Sequence, residues 1–211
     1  MKIVLIGATG FIGSKILAEA LSRGHHVTAI ARHLDKLPQH ANLIGKTGDV
    51  TDATQAATLF AGHDAVISSF APSGQADHLN GFITSYTAII QAVKEAGVKR
   101  LLVVGGAGSL KVNGVQLVDG GGIPEEWKAG VLGLREVLYM LEKEDALDWT
   151  FLSPSAVIEP GERTGKFRLG HDDLLVAADG KSHISVEDYA VAMIDELEKP
   201  KHNRQRFTVG Y

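Results

Sequence analysis

A doubly wound α/β fold, with a mostly parallel sheet in the strand order 3-2-1-4-5-6 and a small C-terminal substrate region, is what this chain of 211 residues predicts. Three observations carry that expectation. Short apolar runs alternate with segments of helical spacing along most of the chain. The first run, Ile3 to Ile6, is continuously apolar, as a strand covered on both faces of a parallel sheet requires. It leads directly into Gly7, Gly10 and Gly13, three glycines at three-residue spacing, with a helix and a second strand beyond.

The glycine turn carries the first functional expectation. Gly7 allows the chain to turn sharply out of the strand, Gly10 lets the backbone approach a pyrophosphate, and Gly13 lets the next helix pack close to the strand. That helix, read over Phe11 to Arg23, would aim its free N–H groups and positive dipole end at phosphates. Gly7, Thr9, Gly10, Phe11, Ile12 and Gly13 are therefore assigned to a dinucleotide. The second strand, His26 to Ala31, ends at Arg32. An acid at that edge bonds a ribose 2′-OH, whereas an arginine accommodates a 2′-phosphate. Arg32, with Lys36 nearby and Asp35 only later, points to NADP(H) in preference to NAD(H), with NAD(H) still admissible.

A third strand is read over Asn42 to Thr47, entering the turn Gly48-Asp49-Val50. Asp49 is placed to accept from an adenine amino group and Val50 to lie against the base, while Thr51 or Asp52 caps the helix that ends near Ala61. The fourth strand, Asp64 to Phe70, ends in Ser68-Ser69-Phe70-Ala71, small or flat residues at the carboxyl edge where open α/β sheets bind ligands. A long helix follows over His78 to Gly97, with Ile83, Ile89, Ile90 and Val93 near helical spacing. The fifth strand, Arg100 to Val104, ends in Gly105-Gly106-Ala107-Gly108-Ser109. Lys111 to Gly122 is glycine-rich without a clear period and reads as a loop near the ligand. A helix over Pro124 to Glu144 and a sixth strand over Asp148 to Leu152 lead to Ser153-Pro154-Ser155. The last quarter holds a charged, loop-rich stretch over Glu159 to Gly180, a helix over Val186 to Glu198 and a closing strand over Arg206 to Val209.

Composition bounds the partners. Apolar residues make up 45% and charged residues 22% of the chain, within the globular range. A net charge of −4 and a pI near 6.1 do not favour nucleic-acid binding. There is no cysteine, which excludes disulfides and thiolate chemistry. The nine histidines form no His-Glu-x-x-His set, so no metal site is expected. No apolar run reaches membrane-spanning length, and the first residues read as a strand and not as a signal peptide. The expectation is a soluble, cytoplasmic protein of one domain, residues 1–211, with substrate-side loops mainly in 111–123 and 159–185.

Taken together, Gly7-Ala8-Thr9-Gly10-Phe11-Ile12-Gly13, Gly48-Asp49-Val50, Gly105-Gly106-Ala107-Gly108 and Leu147-Asp148-Trp149-Thr150 resemble the short-chain dehydrogenase/reductase superfamily. The nearest branch looks like its atypical NAD(P)H-binding members, which include flavin or biliverdin-IXβ reductases, nitrogen-metabolite sensors and epimerase-like proteins. The resemblance implies a Rossmann fold and a nicotinamide cofactor. It also implies a Tyr-x-x-x-Lys pair in the conventional enzymes, where the phenol moves the proton. Tyr139 and Lys143 have that spacing but fall at the far end of their helix. The helix begins instead with Trp127 and Lys128, and Ser153-Pro154 stands where many relatives have Arg-Pro.

Those departures favour a reductase that needs no tyrosine acid. The nicotinamide is expected near Ala71, Ala107 and Pro154, passing hydride to a stacked flavin, quinone or similar small electron-poor acceptor. Ser109, Ser155 and the loop from Gly161 to His171 are the candidates for orienting that acceptor, and His171 is read as a solvated loop residue. The alternatives are a non-catalytic NADP(H) sensor that engages a protein partner, or a sugar-nucleotide epimerase-like enzyme.

Overall fold

The computed structural model describes residues 1–72 and 77–211. Its strands and helices are β1 (Lys2–Ile6), α1 (Phe11–Ser22), β2 (His26–Ala31), β3 (Leu43–Thr47), α2 (Ala53–Phe60), β4 (Ala65–Ser68), α3 (His78–Glu95), β5 (Arg100–Val104), β6 (Lys111–Val112), β7 (Val115–Gln116), α4 (Glu125–Glu142), β8 (Asp148–Ser153), β9 (Val157–Glu159), β10 (Arg168–Gly170), β11 (His183–Ser185), α5 (Val186–Glu198) and β12 (Gln205–Gly210). Among the described residues, eight strands form the central sheet in the order β10-β12-β8-β5-β4-β1-β2-β3. The expected order is its core, because β8 is the sixth predicted strand. The sheet also runs further than expected: β12 adds parallel to β8, and β10 pairs antiparallel to β12 at the edge.

Each face of the sheet is covered by an apolar layer. Ile3 and Leu5 of β1 face Ile16, Leu17 and Ala20 of α1 and Tyr189, Met193 and Ile194 of α5. Val4 and Ile6 face the opposite way, toward Phe60 of α2, Tyr86 and Ile89 of α3 and Leu138 of α4. The alternation of side chains along a strand divides the layers in this way. It also explains the continuous apolar run: both faces are dry.

Several boundaries differ from expectation for local reasons. The fourth strand is shorter than Asp64 to Phe70. Ser69 still donates from its N–H to the Ile6 carbonyl, but the Phe70 carbonyl leaves the ladder and accepts from the Tyr86 hydroxyl at 3.2 Å. The segment read as a loop from Lys111 to Gly122 contains the β6–β7 hairpin. Its turn is Asn113-Gly114 with φ of 53° and 82°, the pairing that favours a two-residue hairpin. The charged stretch in the last quarter holds β9, β10 and β11, and much of its charge is used as strapping. Arg163 makes a two-pronged pair with Glu19 of α1 at 2.7 and 2.8 Å, which, opposed by burial, holds the Glu19 carboxyl below the usual range. Thr164 and Gly165 donate to the buried Asp188, and Asp172 pairs with Arg206.

Candidate functional site

Strand register puts the carboxyl ends of β2, β1, β4, β5 and β8 along one edge of the sheet. Ile6 pairs with both Ile30 and Ser68, Ser68 with Val103, and Val104 with Leu152. Every chain turn assigned to the cofactor leaves the sheet there.

A groove of about 280 Å³ runs along this edge, lined by Gly7, Thr9, Gly10, Arg32, Asp49, Val50, Ser69, Phe70 and Ala71 among others. Its floor fits a pyrophosphate. Gly7 has φ of +79°, and a Cβ there would stand 2.4 Å from the Ser69 carbonyl oxygen. A Cβ on Gly13 would stand 2.0 Å from the Gly7 carbonyl oxygen. These two glycines let the turn, β4 and α1 approach one another. Gly10 is different: it is exposed, and its Cβ would meet only the Gly7 oxygen, at 3.3 Å. Its openness serves whatever lies above the turn.

The start of α1 supports the same reading. Gly10 is its N-cap and provides no side-chain cap, and no acid stands in its first turn. By contrast, α2, α3 and α5 are capped by Asp52, Asp77 and Ser185, and α4 carries Glu125 and Glu126 in its first turn. The N–H groups of Phe11, Ile12 and Gly13 thus lack a side-chain acceptor among the described residues, and the dipole end is not neutralised.

Asp49 does two jobs. Its Oδ1 accepts from the Thr51 N–H at 2.9 Å and the Thr51 hydroxyl at 2.7 Å, which holds its pKa below the usual range. Oδ2 accepts no protein hydrogen bond among the described residues and stays available to the groove. Capping of α2 falls to Asp52, which accepts from the Gln55 N–H. Arg32, exposed at the end of β2, lines the same groove.

A buried pair shapes the β4 turn: Ser68, assigned to the cofactor from the sequence, is 0% exposed and outside the groove lining, and Tyr86 was not singled out by sequence reasoning. Ser68 Oγ donates to the Tyr86 hydroxyl at 3.1 Å, and Tyr86 donates to the Phe70 carbonyl. Burial pushes the Tyr86 phenol well above its ordinary pKa, so it remains a neutral donor. Tyr86 lies at helical spacing with Phe82 and Ile89, which marks it as core; nothing local marks its hydroxyl as the clamp of a turn 16 residues away.

Beyond Ala107 and Gly108 opens a larger cavity of about 620 Å³, between the β6–β7 hairpin, the start of α4 and the Pro154 turn. Its walls are mainly apolar: Val112, Val115, Leu117, Ile123, Trp127 and Ile158 are typical. Trp127 is 65% exposed in the first turn of α4 and forms part of this apolar wall. None of the lining side chains among the described residues is ionisable. Gln116, Ser155 and the Trp127 indole N–H are the polar groups among them.

The proposed acceptor-orienting residues need correction. Ser155 borders the cavity but is 1% exposed, and its hydroxyl donates to the Val209 carbonyl at 2.9 Å. Ser109 is 2% exposed, outside the lining, and its Oγ accepts from Arg206. Both hydroxyls hold the chain in place. The Gly161 to His171 loop is not in the cavity lining: Arg163 pairs with Glu19 of α1, the Gly161 N–H donates to Glu187 of α5, and Arg168 donates to the Val176 carbonyl. His171 is exposed, its ring 6.0 Å from that of His202. Tyr139 points its hydroxyl at Gln116 while Lys143 ends α4, so the pair does not act as a unit. Gly105, Gly106 and Ala107 form the β5 turn, and Pro154 the β8 turn, beside the groove. There Gly105 is required because its Cβ would meet the Phe151 ring at 2.3 Å.

Comparison with known proteins is consistent across sequence and structure. A family model described as NAD(P)H-binding matches residues 7–200. The uncharacterized protein YwnB of Bacillus subtilis (strain 168) is 42% identical over 213 residues, covering 99% of this chain and 98% of that protein. A crystal structure from Bacteroides thetaiotaomicron, provisionally named an epimerase, is 51% identical with a TM-score of 0.94, covering 100% of this chain and 96% of that one. Another from Streptococcus pneumoniae TIGR4, provisionally named an NADH-flavin reductase, is 35% identical with a TM-score of 0.87, covering 100% and 99%.

Proposed function

The chain belongs to the NAD(P)H-binding family, and from that premise we propose that it is an NADPH-dependent reductase of a flavin, a quinone or a similar flat, electron-poor acceptor. The observation that carries this reading is the apolar cavity, without ionisable side chains among the described residues, at the Ala107 and Pro154 turns, further along the sheet edge that carries the dinucleotide groove. A ketone reductase needs a proton donor at its carbonyl, and an epimerase needs acid and base groups at a sugar carbon. A flavin or quinone can draw its proton from water after hydride arrives, so a site without such groups suits it.

Bound NADPH supplies the hydride from its nicotinamide ring. The chain supplies position. The Gly7 to Gly13 turn and the N–H groups opening α1 hold the phosphates, Asp49 and Val50 receive the adenine, and the Tyr86-clamped β4 turn sets one wall beside the nicotinamide. Val112, Val115 and Trp127 exclude water from the acceptor and offer flat apolar contact.

Arg32 is the residue proposed to favour the 2′-phosphate. Arg32→Ala should weaken NADP(H) binding by about 1.5–3 kcal/mol, roughly 10- to 150-fold, and leave NAD(H) nearly unchanged. Equilibrium titration of both cofactors against both proteins checks it, and an unchanged ratio of affinities would remove the assignment.

Turnover is tested by following NADPH oxidation against a panel of flavins, quinones and small carbonyl compounds. Reduction of flavins or quinones with little activity on ketones is the expected result. Tight NADP(H) binding with no turnover on any of them, and a protein partner recovered with one redox form alone, would replace the reductase with a redox sensor.

A further inference from the structure

Four residues of α4, Trp127, Val131, Arg135 and Tyr139, stand one turn apart on a single stripe. The first two line the acceptor cavity, and the last two reach Gln116 of β7, which also lines it. The sequence pairing of Tyr139 with Lys143 thus conceals a different pairing in space. Tyr139 and Gln116 exchange hydrogen bonds at 3.0 and 3.4 Å, and the Arg135 guanidinium lies 5.8 Å from the centre of the Tyr139 ring.

The arrangement fixes which way the Gln116 amide faces. Arg135 can only donate, and its Nη1 lies 3.4 Å from Oε1, with Asp119 holding the guanidinium on the other side at 3.0 Å. The oxygen end is therefore tethered to α4. One N–H of Nε2 goes to the Tyr139 hydroxyl. The second N–H has no acceptor among the described residues, at the rim of a cavity whose other described lining side chains, Ser155 apart, carry no polar group except the Trp127 indole N–H. An oriented donor at the edge of an otherwise apolar site fixes orientation and specificity in small-molecule sites generally.

We propose that Gln116 selects the acceptor by donating this N–H to a ring carbonyl oxygen, with Tyr139 and Arg135 as its positioning residues; the inference rests on the reductase reading and narrows its substrate to carbonyl-bearing rings. A flavin or a quinone carries such an oxygen, whereas an aromatic hydrocarbon of the same outline does not.

The test uses the full chain saturated with NADP+, so that binding is read without turnover. Dissociation constants for 2-methyl-1,4-naphthoquinone and for 2-methylnaphthalene, which lacks the carbonyls, are measured by calorimetry on wild type, Gln116→Leu and Gln116→Glu. Loss of one neutral hydrogen bond should weaken the quinone roughly three- to tenfold in both variants and leave the hydrocarbon within twofold. Gln116→Glu keeps the side-chain shape while removing the donor, which guards against collapse of the hairpin in the leucine variant. Equal weakening of both rings, an unaffected quinone, or no binding of either ring to wild type would overturn the proposal. NADPH oxidation with the same quinone separates the two readings. The binding pattern without turnover leaves the recognition standing and removes the reductase; turnover indifferent to Gln116 does the reverse.

Discussion

Gly10→Val is expected to weaken NADP(H) binding about a hundredfold or more in a protein that still folds. A Cβ at this position meets nothing but the Gly7 oxygen at 3.3 Å, so the turn needs only a small adjustment. A poor N-cap costs α1 about 1 kcal/mol, a fall in Tm of about 2–4 °C for a chain of this size. The branched side chain would, however, occupy the space above the first turn of α1, where the phosphates approach the N–H groups. Losing two charge-assisted hydrogen bonds at about 1.5–3 kcal/mol each weakens binding on the order of a hundredfold or more. Gly13→Ala is the contrasting variant. Its methyl would stand 2.0 Å from the Gly7 oxygen and 2.8 Å from the Gly7 carbonyl carbon, both backbone atoms, so α1 must move away from β1. That overpacking is expected to cost about 3 kcal/mol in stability. Thermal melts and NADPH titrations on the two variants separate the roles. Retained affinity in Gly10→Val would show that the phosphates lie elsewhere.

Glu196→Ala should be the most destabilising single change away from the glycine turn. Glu196 is 4% exposed on α5 and pairs with Arg100 of β5 at 3.0 Å, itself 8% exposed. It also accepts from the Lys201 and His202 N–H groups and bonds His202 Nδ1 at 2.8 Å. Burial pulls the Arg100 pKa below its ordinary value while Glu196 opposes the fall. Without the carboxylate, a buried guanidinium is left uncompensated, and breaking such a pair costs about 3–5 kcal/mol, a fall in Tm of about 6–20 °C. The double replacement Arg100→Met with Glu196→Leu removes both charges and is expected to recover much of the loss. Denaturant unfolding of wild type and these two variants measures this. A single variant as stable as wild type would show that the pair is not desolvated.

The chain order of elements and the floor of the cofactor groove were legible because both are local. A parallel strand covered on both faces must be continuously apolar, so Ile3 to Ile6 announces itself. A turn that presses strand against helix admits only glycine, so Gly7 and Gly13 stand out at fixed spacing. The end of β2 likewise places Arg32 at the groove by strand length alone. What the sequence left open depended on residues far apart in the chain. Ser109, Ser155 and the Gly161 to His171 loop have the chemistry of ligand contacts, but tertiary packing commits them to Arg206, Val209, Glu19 and Asp188. Asn113-Gly114 was a readable hairpin signal, whereas the destination of that hairpin was not. The Tyr86 clamp on the β4 turn spans 16 residues, and the Gln116 to Tyr139 bond spans 23. Apolar periodicity and glycine spacing are imposed by the backbone within one element, so the sequence alone determines them. The direction of a hydroxyl or an amide is set by whichever partner folding brings within 3.5 Å, and only the assembled tertiary structure decides that.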